Sequence, residues 1–211
     1  MIVFSHEERA DVAAREDLLD RCFGAARFEK SSERLREGRL AAEGLAFVAH
    51  AADDFAVFGD EPAEGRLVGT VRLWHVAIGG GADGGEGDGR PALMLGPLAV
   101  DEAHRKDGIG AKLMRRAIAE ATLRGHTAII LVGDPEYYER FGFSARGLEA
   151  VAMPGAFERR RLLGLELIPG ALDGAAGILR ATGAVALPAA VPAVVRRSEK
   201  ADIVAEFRLA G

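Results

Sequence analysis

Six consecutive residues, Arg105-Lys106-Asp107-Gly108-Ile109-Gly110, have the types and spacing to hold a phosphate or pyrophosphate. Gly108 can take a backbone geometry closed to other residues, and Gly110 leaves no side chain between a ligand and the main chain. A helix starting here would offer unpaired N–H groups and the positive end of its dipole. Arg105 and Lys106 add charge that favours the same ligand. For the hexapeptide alone, the alternative is a structural turn with a solvated charge pair. A Walker A loop is excluded because the segment closes with Gly110-Ala111-Lys112 rather than Gly-Lys-Ser/Thr. GIGAKL also lacks the third glycine of a dinucleotide fingerprint.

Other residues could move protons. Tyr137 and Tyr138 stand in an aromatic run that ends at Gly142-Phe143, and His75, Glu102, His104 and Asp134 are candidate bases by type. His104 and His126 have no third ligand at metal-site spacing. Residues 79–90, GGGADGGEGDGR, are glycine-rich but precede no helix, and Asp83, Glu86 and Asp88 would repel phosphate; a disordered hairpin loop is expected. Their acidic spacing misses an EF-hand. Cys22 is the only cysteine, which rules out an intrachain disulfide, and its place in an apolar pattern predicts a buried thiol.

The changes of hydrophobic period predict the elements that must carry these groups. Residues 92–100 form an apolar strand leading into the loop. Ile109, Leu113, Ala117, Ile118 and Ala121 then make one face of a helix that Gly125 ends, and 127–132 form the next strand. Upstream, residues 1–4 read as an edge strand, Ser5 and Glu8 have capping-box spacing, and Val12, Leu19, Cys22 and Phe23 mark a helix ending at Gly24. Residues 27–44 alternate basic and acidic side chains and predict a solvated helix with i,i+4 support, anchored by Leu35 and Leu40, with a specific anion site as the alternative. Strands are expected at 45–51 and 66–78, with the sole tryptophan, Trp74, either packed on a helix or stacked on a ligand. After Phe143 come weaker strand signals at 148–152 and 162–167, with the run Arg159-Arg160-Arg161 read as solvated surface and an acceptor-binding or CoA-phosphate contact as the alternative.

A chain of 211 residues with 49% apolar content and a formal net charge of -5 suits one soluble domain with a small appendage. The acidic balance lowers the expectation of nucleic-acid binding. The start, MIVFSHEE, lacks the pattern of a secretion signal and no uninterrupted membrane span follows, so a cytoplasmic location and no membrane partner are expected.

Three segments in order resemble the GCN5-related N-acetyltransferases (GNAT). Arg105-x-x-Gly108-x-Gly110 is similar to the family's R/Q-x-x-G-x-G/A signature. The strand pattern GPLAV precedes it, and Tyr138-Glu139-Arg140-Phe141-Gly142-Phe143 resembles the Y-x-x-x-G-F segment. The wording GDPEYYERFGF and, later, LIPGAL resembles the bacterial subgroup of predicted N-acetyltransferases whose substrate is unassigned.

The resemblance implies an α/β (α+β) chain with the acyl-CoA N-acyltransferase fold: a mixed, mostly antiparallel sheet flanked by helices, with two central strands splayed apart. It implies a domain over 1–169 and a C-terminal extension over 170–211, packed on the domain or used in self-association. It implies acetyl-CoA as acyl-donor cosubstrate, held by Leu98, Ala99, Val100, Arg105, Lys106, Asp107, Gly108, Ile109, Gly110, Ala111 and Tyr138. The reaction implied is direct N-acetylation of a small-molecule or peptide or protein amine, without a covalent enzyme nucleophile. Tyr138 is carried over as general acid. No carboxylate stands on the strand where some relatives carry one; among the candidate bases His75 is favoured because strand alternation could turn it into the cleft. An acyl-CoA-binding regulatory protein with little catalysis is the alternative, a partner-binding protein on the same fold is a third reading, and homodimerisation is plausible for the family. The net acidity leans modestly toward a cationic acceptor, with the deciding charges those of the cleft.

Overall fold

In the computed structural model, residues 1–52, 65–80 and 89–186 are described. An eight-stranded sheet forms their centre. Its main path runs β1 (Ile2–His6), β2 (Ala46–Ala51), β3 (Arg66–Ile78), β4 (Arg90–Val100), β5 (Ala128–Val132) and β7 (Leu162–Glu166). The long strand β3 takes β2 along its first half and β8 (Ala176–Ala181) at Val76–Ile78; β8 in turn carries the short β6 (Ala150–Ala152). Pairing is antiparallel throughout the main path except between β4 and β5. This is the mixed, mostly antiparallel sheet the sequence led us to expect.

The two faces are covered differently. Helix α2 (Ile109–Leu123) buries Ile109, Leu113, Met114, Ala117 and Ala121 against Phe47, Val71, Leu73 and Leu131. Helix α1 (Asp11–Phe23) lies on the opposite face, where Leu18 and Leu19 pack with Val48, Leu67 and Ala99. A second core under Trp74 and Val76 is closed by Leu148, Val151, Leu172 and Leu179. Each fully buried aliphatic side chain contributes about 2 kcal/mol, so the sheet is fixed from both sides. Among the described residues no helix is long and apolar enough to cross a membrane.

The opening that matters for function lies between β4 and β5. Their parallel pairing is confined to Leu93–Ile129 and Met94–Ile130, after which β4 continues along β3 to Val100 while β5 runs off beside β7. From Leu95 on, β4 therefore has a main-chain edge turned to a cleft instead of a strand. Gly96, at φ +132°, sits at the point of divergence, its peptide bond to Pro97 is cis, and its carbonyl accepts a hydrogen bond from Trp74 Nε1 at 2.6 Å.

Three local expectations are corrected. Ser5 does not cap α1, because it is consumed by β1, where it pairs with Val48; Ala10 precedes the helix without any side-chain cap. The charged stretch 27–44 is not a solvated helix. It makes two short 3-10 turns, Ala25–Glu29 and Glu33–Leu35, which wrap over the sheet with only Leu35 of the two expected anchors buried; Leu40 is 53% exposed. β8 lies within the stretch beyond 170, where no strand was expected. The expectation for residues 81–88 falls outside the described residues, as do residues 203–209, whose run IVAEFRL reads as a short terminal strand or helix.

Candidate functional site

The splayed strands are flanked by two clefts that share Phe23, Leu98, Asp134 and Tyr138. The first, about 730 Å³, lies at the α2 end. Gly108 is the residue preceding α2 and takes the left-handed conformation (φ 72°, ψ 10°), which a side chain would resist although space around it is open. No side chain caps the helix, so its first N–H groups face the cleft unclaimed. At Gly110 a Cβ would sit 2.9 Å from Tyr137 Oη and 3.5 Å from Val100 Cγ2, so only glycine leaves this approach clear.

Leu98, Ala99, Val100, Arg105, Lys106, Gly108, Gly110, Ala111 and Tyr138 of the expected cofactor set all line this cleft. Ile109 and Asp107 do so only by position in the chain. The Ile109 side chain is buried in the core, and the Asp107 carboxylate turns back to His104 Nδ1 at 2.8 Å. Arg105 is 58% exposed and 3.7 Å from Glu102. Arg140 stacks on the Tyr137 ring at 4.4 Å. Cys22, half-buried rather than buried, donates its thiol to the Val100 carbonyl at 3.5 Å, and burial, first of all, pushes the thiol up.

Tyr138 stands where the two clefts meet. Its ring lies flat against Gly133, where a Cβ would meet Cε2 at 2.1 Å, and it contacts Tyr137 and Phe143 edge-on at 4.9 and 6.1 Å. Burial, followed by the neighbouring Tyr137 and Asp134, pushes its hydroxyl up to about 12. The phenol thus stays protonated across physiological pH and is a hydrogen-bond donor at all times.

The second cleft, about 600 Å³, lies under the segment that follows α1. Its wall is Trp74 with Arg72 stacked on the ring at 4.5 Å, β4 from Met94 to Leu98, and β5 from Leu131; its roof is the pair of 3-10 turns after α1. Arg27 there is held by Glu16 at 2.5 Å and Asp20 at 2.8 Å. For Glu16 burial would raise the carboxyl, but hydrogen bonds from Arg27 and Arg15 outweigh it and hold the group below the usual range. Arg161 enters from the far side, 3.5 Å from Asp134. Of the arginine run, then, Arg159 and Arg160 are exposed as expected, although Arg159 Nη1 also donates to the carbonyls of Leu148 and Val151. Trp74, a lone tryptophan mid-strand, is packed here on a guanidinium and not on a helix.

His75 is not part of either cleft. It pairs with Leu93, where β4 and β5 are still joined, and its ring meets His126 at 5.5 Å beyond the end of α2. Alternation places it on the face opposite Trp74. The expected base is therefore on the wrong face and in the closed part of the sheet. Among the described residues no group of three potential metal ligands occurs.

Comparison with known proteins bears on what this geometry is for. Residues 45–145 match the family model described as an acetyltransferase (GNAT) domain. The uncharacterized N-acetyltransferase YhbS of Escherichia coli (strain K12) is 31% identical over 80 residues, 38% of this chain and 44% of that protein, so the match spans less than half the relative's length. Among solved structures, that of E. coli YhbS in complex with CoA superposes with a TM-score of 0.63 at 26% identity, covering 85% of this chain and 89% of that one. A GNAT family acetyltransferase from Brucella melitensis in complex with acetyl-CoA gives a TM-score of 0.56 at 23% identity, covering 85% and 95%. The latter likeness is one of fold.

Proposed function

We propose, since the chain belongs to the GCN5-related N-acetyltransferase family, that it moves an acetyl group directly from acetyl-CoA to an amine of a small molecule or of a peptide or protein. The observation that carries this reading is the parting of β4 and β5 after Met94, with an uncapped helix start on one side and Tyr138 at the crossing. The CoA bound in the E. coli YhbS structure supports the same donor.

In this reading the main-chain N–H groups of Gly108 to Ala111 hold the pyrophosphate, with Arg105 and Lys106 adding charge from outside. The edge of β4 from Leu98 to Val100 pairs with the amide-bearing arm and aims the thioester at the junction. Main-chain donors near Val100 polarise the carbonyl. The amine nitrogen bonds to the acetyl carbon, the carbon–sulfur bond breaks, the amine gives up its proton to solvent, and the departing sulfur accepts a hydrogen bond from Tyr138. Passing a proton from a phenol near 12 to an alkyl thiolate, the weaker base of the two, is uphill. Tyr138 thus acts chiefly by stabilising developing charge, and completes the transfer only as its surroundings change on binding.

One observation favours the acyl-CoA-binding regulator. His75 lies elsewhere, and of the four acids that line the second cleft Glu16, Glu33 and Asp134 are each engaged by an arginine, which leaves only the exposed Glu37 without one among the described residues. A screen of amines with acetyl-CoA, reading released CoA and product mass together, separates the two. An acetylated product identifies the transferase, whereas tight CoA binding with no product from any amine identifies the binder. The proposal also includes a cytoplasmic location, no nucleic-acid or membrane partner, self-association as a homodimer, and a division at 169/170. The extension's described part is tied to the domain through β8.

A further inference from the structure

The charge of the second cleft runs against that of the chain. The protein carries a net charge of -5, yet six basic and four acidic side chains line this cavity. Two of the acids are spent: Glu16 on Arg27, and Glu33 on Arg36 at 2.7 Å. Asp134 is 65% exposed at 3.5 Å from Arg161, and Glu37 is exposed. Lys30 has no carboxylate partner among the described residues; its ammonium lies 4.8 Å from the Phe23 ring centre.

Arg36 is the sharper case. Its side chain is only 9% exposed, Glu33 holds one terminal nitrogen, and Nε has no hydrogen-bond partner. Its Nη1 lies 3.8 Å from where a Cβ on Gly96 would be, so the guanidinium faces the point at which the strands separate. An unanswered buried N–H on a charged group is costly, and the cost is removed when an acceptor arrives. Burial, then Arg161 and Arg36, hold the Lys30 ammonium below its ordinary range, and burial does the same to Arg36. Three cations thus converge on one space: Arg36 holds Glu33, Arg161 lies 3.5 Å from Asp134 and 3.8 Å from Glu158, and Lys30 has no carboxylate among the described residues. Lys30 is exposed, so it is the buried Nε of Arg36 and of Arg161, neither with a hydrogen-bond partner, that water does not answer.

We infer that Lys30, Arg36 and Arg161 bind an anionic group of the acceptor, so that the substrate is a small amine carrying a carboxylate or a phosphate. This rests on the acetyl-transfer reading of the same cleft. It also reverses the leaning toward a cationic acceptor that the net charge suggested. The enclosed volume of about 600 Å³ suits a small molecule.

The test uses the full chain and two readouts. Fluorescence of Trp74, the sole tryptophan and part of this wall, is titrated with inorganic phosphate, propionate and ethylammonium, and CoA affinity is measured separately by calorimetry. Acetyl transfer is compared within matched pairs: phosphoethanolamine against ethanolamine, and β-alanine against β-alaninamide. Expected are saturable signals with an anion but not with ethylammonium, and a preference of about tenfold or more in kcat/KM for the anionic member of a pair. Which pair responds tells phosphate from carboxylate. Arg36→Met and Lys30→Met should each erase most of that preference at unchanged CoA affinity, and Arg36→Lys should restore part of it; Lys30→Met serves if Arg36→Met does not fold. If neutral amines are acetylated as well as their anionic partners, the inference falls and the transferase stands. If anions bind while CoA does not, the transferase reading falls and the anion site stands.

Discussion

The two clefts on either side of Tyr138 are both basic, but the cations serve them differently. At the α2 end the groups that can grip a ligand are main-chain N–H groups exposed by glycine, and the side-chain charges stand in water, as with Arg105 at 58% exposure. Under the 3-10 turns the order is inverted: no backbone nest is offered, and guanidiniums such as Arg36 and Arg27, at 9% and 12% exposure, form the wall. A backbone site accepts whatever carries the right phosphate, which suits a common donor. A wall of buried side chains discriminates, because each charge left unanswered has a cost, and that suits the partner that varies.

The largest break in this comparison should come from Gly110→Phe. Its ring would project over the helix start, where a Cβ alone already approaches Tyr137 Oη at 2.9 Å. CoA affinity should fall by about 100-fold or more by calorimetry, while the Trp74 response to anions persists. Equal loss of both signals in a folded variant would mean that the clefts are not separable. Tyr138→Phe comes next. It should lower single-turnover acetyl transfer by about 10- to 100-fold with both ligands still bound, since it removes the hydroxyl at the crossing and leaves the ring packing against Gly133. An unchanged single-turnover rate would take Tyr138 out of the chemistry.

These two regions also differ in how far the sequence disclosed them. The helix start and the aromatic turn are local: Arg105 to Gly110 and Tyr137 to Phe143 are each one short run, and a backbone site leaves its trace as glycine at fixed spacing. The central strands and α2 were legible for the same reason, because their apolar periods are set by two packed faces. The second cleft is assembled from α1, the 3-10 turns, β3, β4, β5 and Arg161, so no window of sequence contains it. Within residues 27–44 the alternating charges fit a helix face as well as they fit turns that bury their arginines; what decided between them was the single buried anchor, Leu35, against an exposed Leu40. Ser5 and Glu8 had the spacing of a cap, but pairing of β1 with β2 claimed Ser5 first. His75 obeyed strand alternation, yet which face opens, and where along β3 it opens, depends on the pairing of β4 with β5. β8 was missed because AGILRA, with Gly177 at φ +108°, has little strand signal of its own and is held by the free edge of β3.

The exposed cations of the donor side should matter least for binding. Lys106→Ala is expected to weaken CoA by about 2- to 3-fold at low salt, with the difference vanishing as ionic strength rises. A loss that survives 0.5 M salt, on the order of the Debye length shrinking to a few ångströms, would make Lys106 a direct and shielded contact, and the contrast between the clefts would weaken.

The smallest effect is one of stability and has the opposite sign to the functional ones. Lys30→Met should raise the melting temperature at pH 7 although it impairs acceptor discrimination, because it removes an exposed ammonium that partial desolvation, then Arg161 and Arg36, disfavour, while keeping an apolar chain on the Phe23 ring. The sign follows from linkage. The folded ammonium lies below its ordinary 10.5, so at neutral pH both folded and unfolded states are charged and only the folded one bears the repulsion. As pH climbs through the folded value toward 10.5, the folded state releases its proton first, wild-type stability recovers, and the advantage of the variant shrinks. Inorganic phosphate at pH 7 should close the same gap from the other side, stabilising wild type more than Lys30→Met, since an anion that binds only the folded cleft raises its stability in proportion to occupancy. A variant that melts lower than wild type at pH 7, or a phosphate shift equal in both proteins, would mean that Lys30 is answered by some other group, and that the cleft is not waiting for an anion.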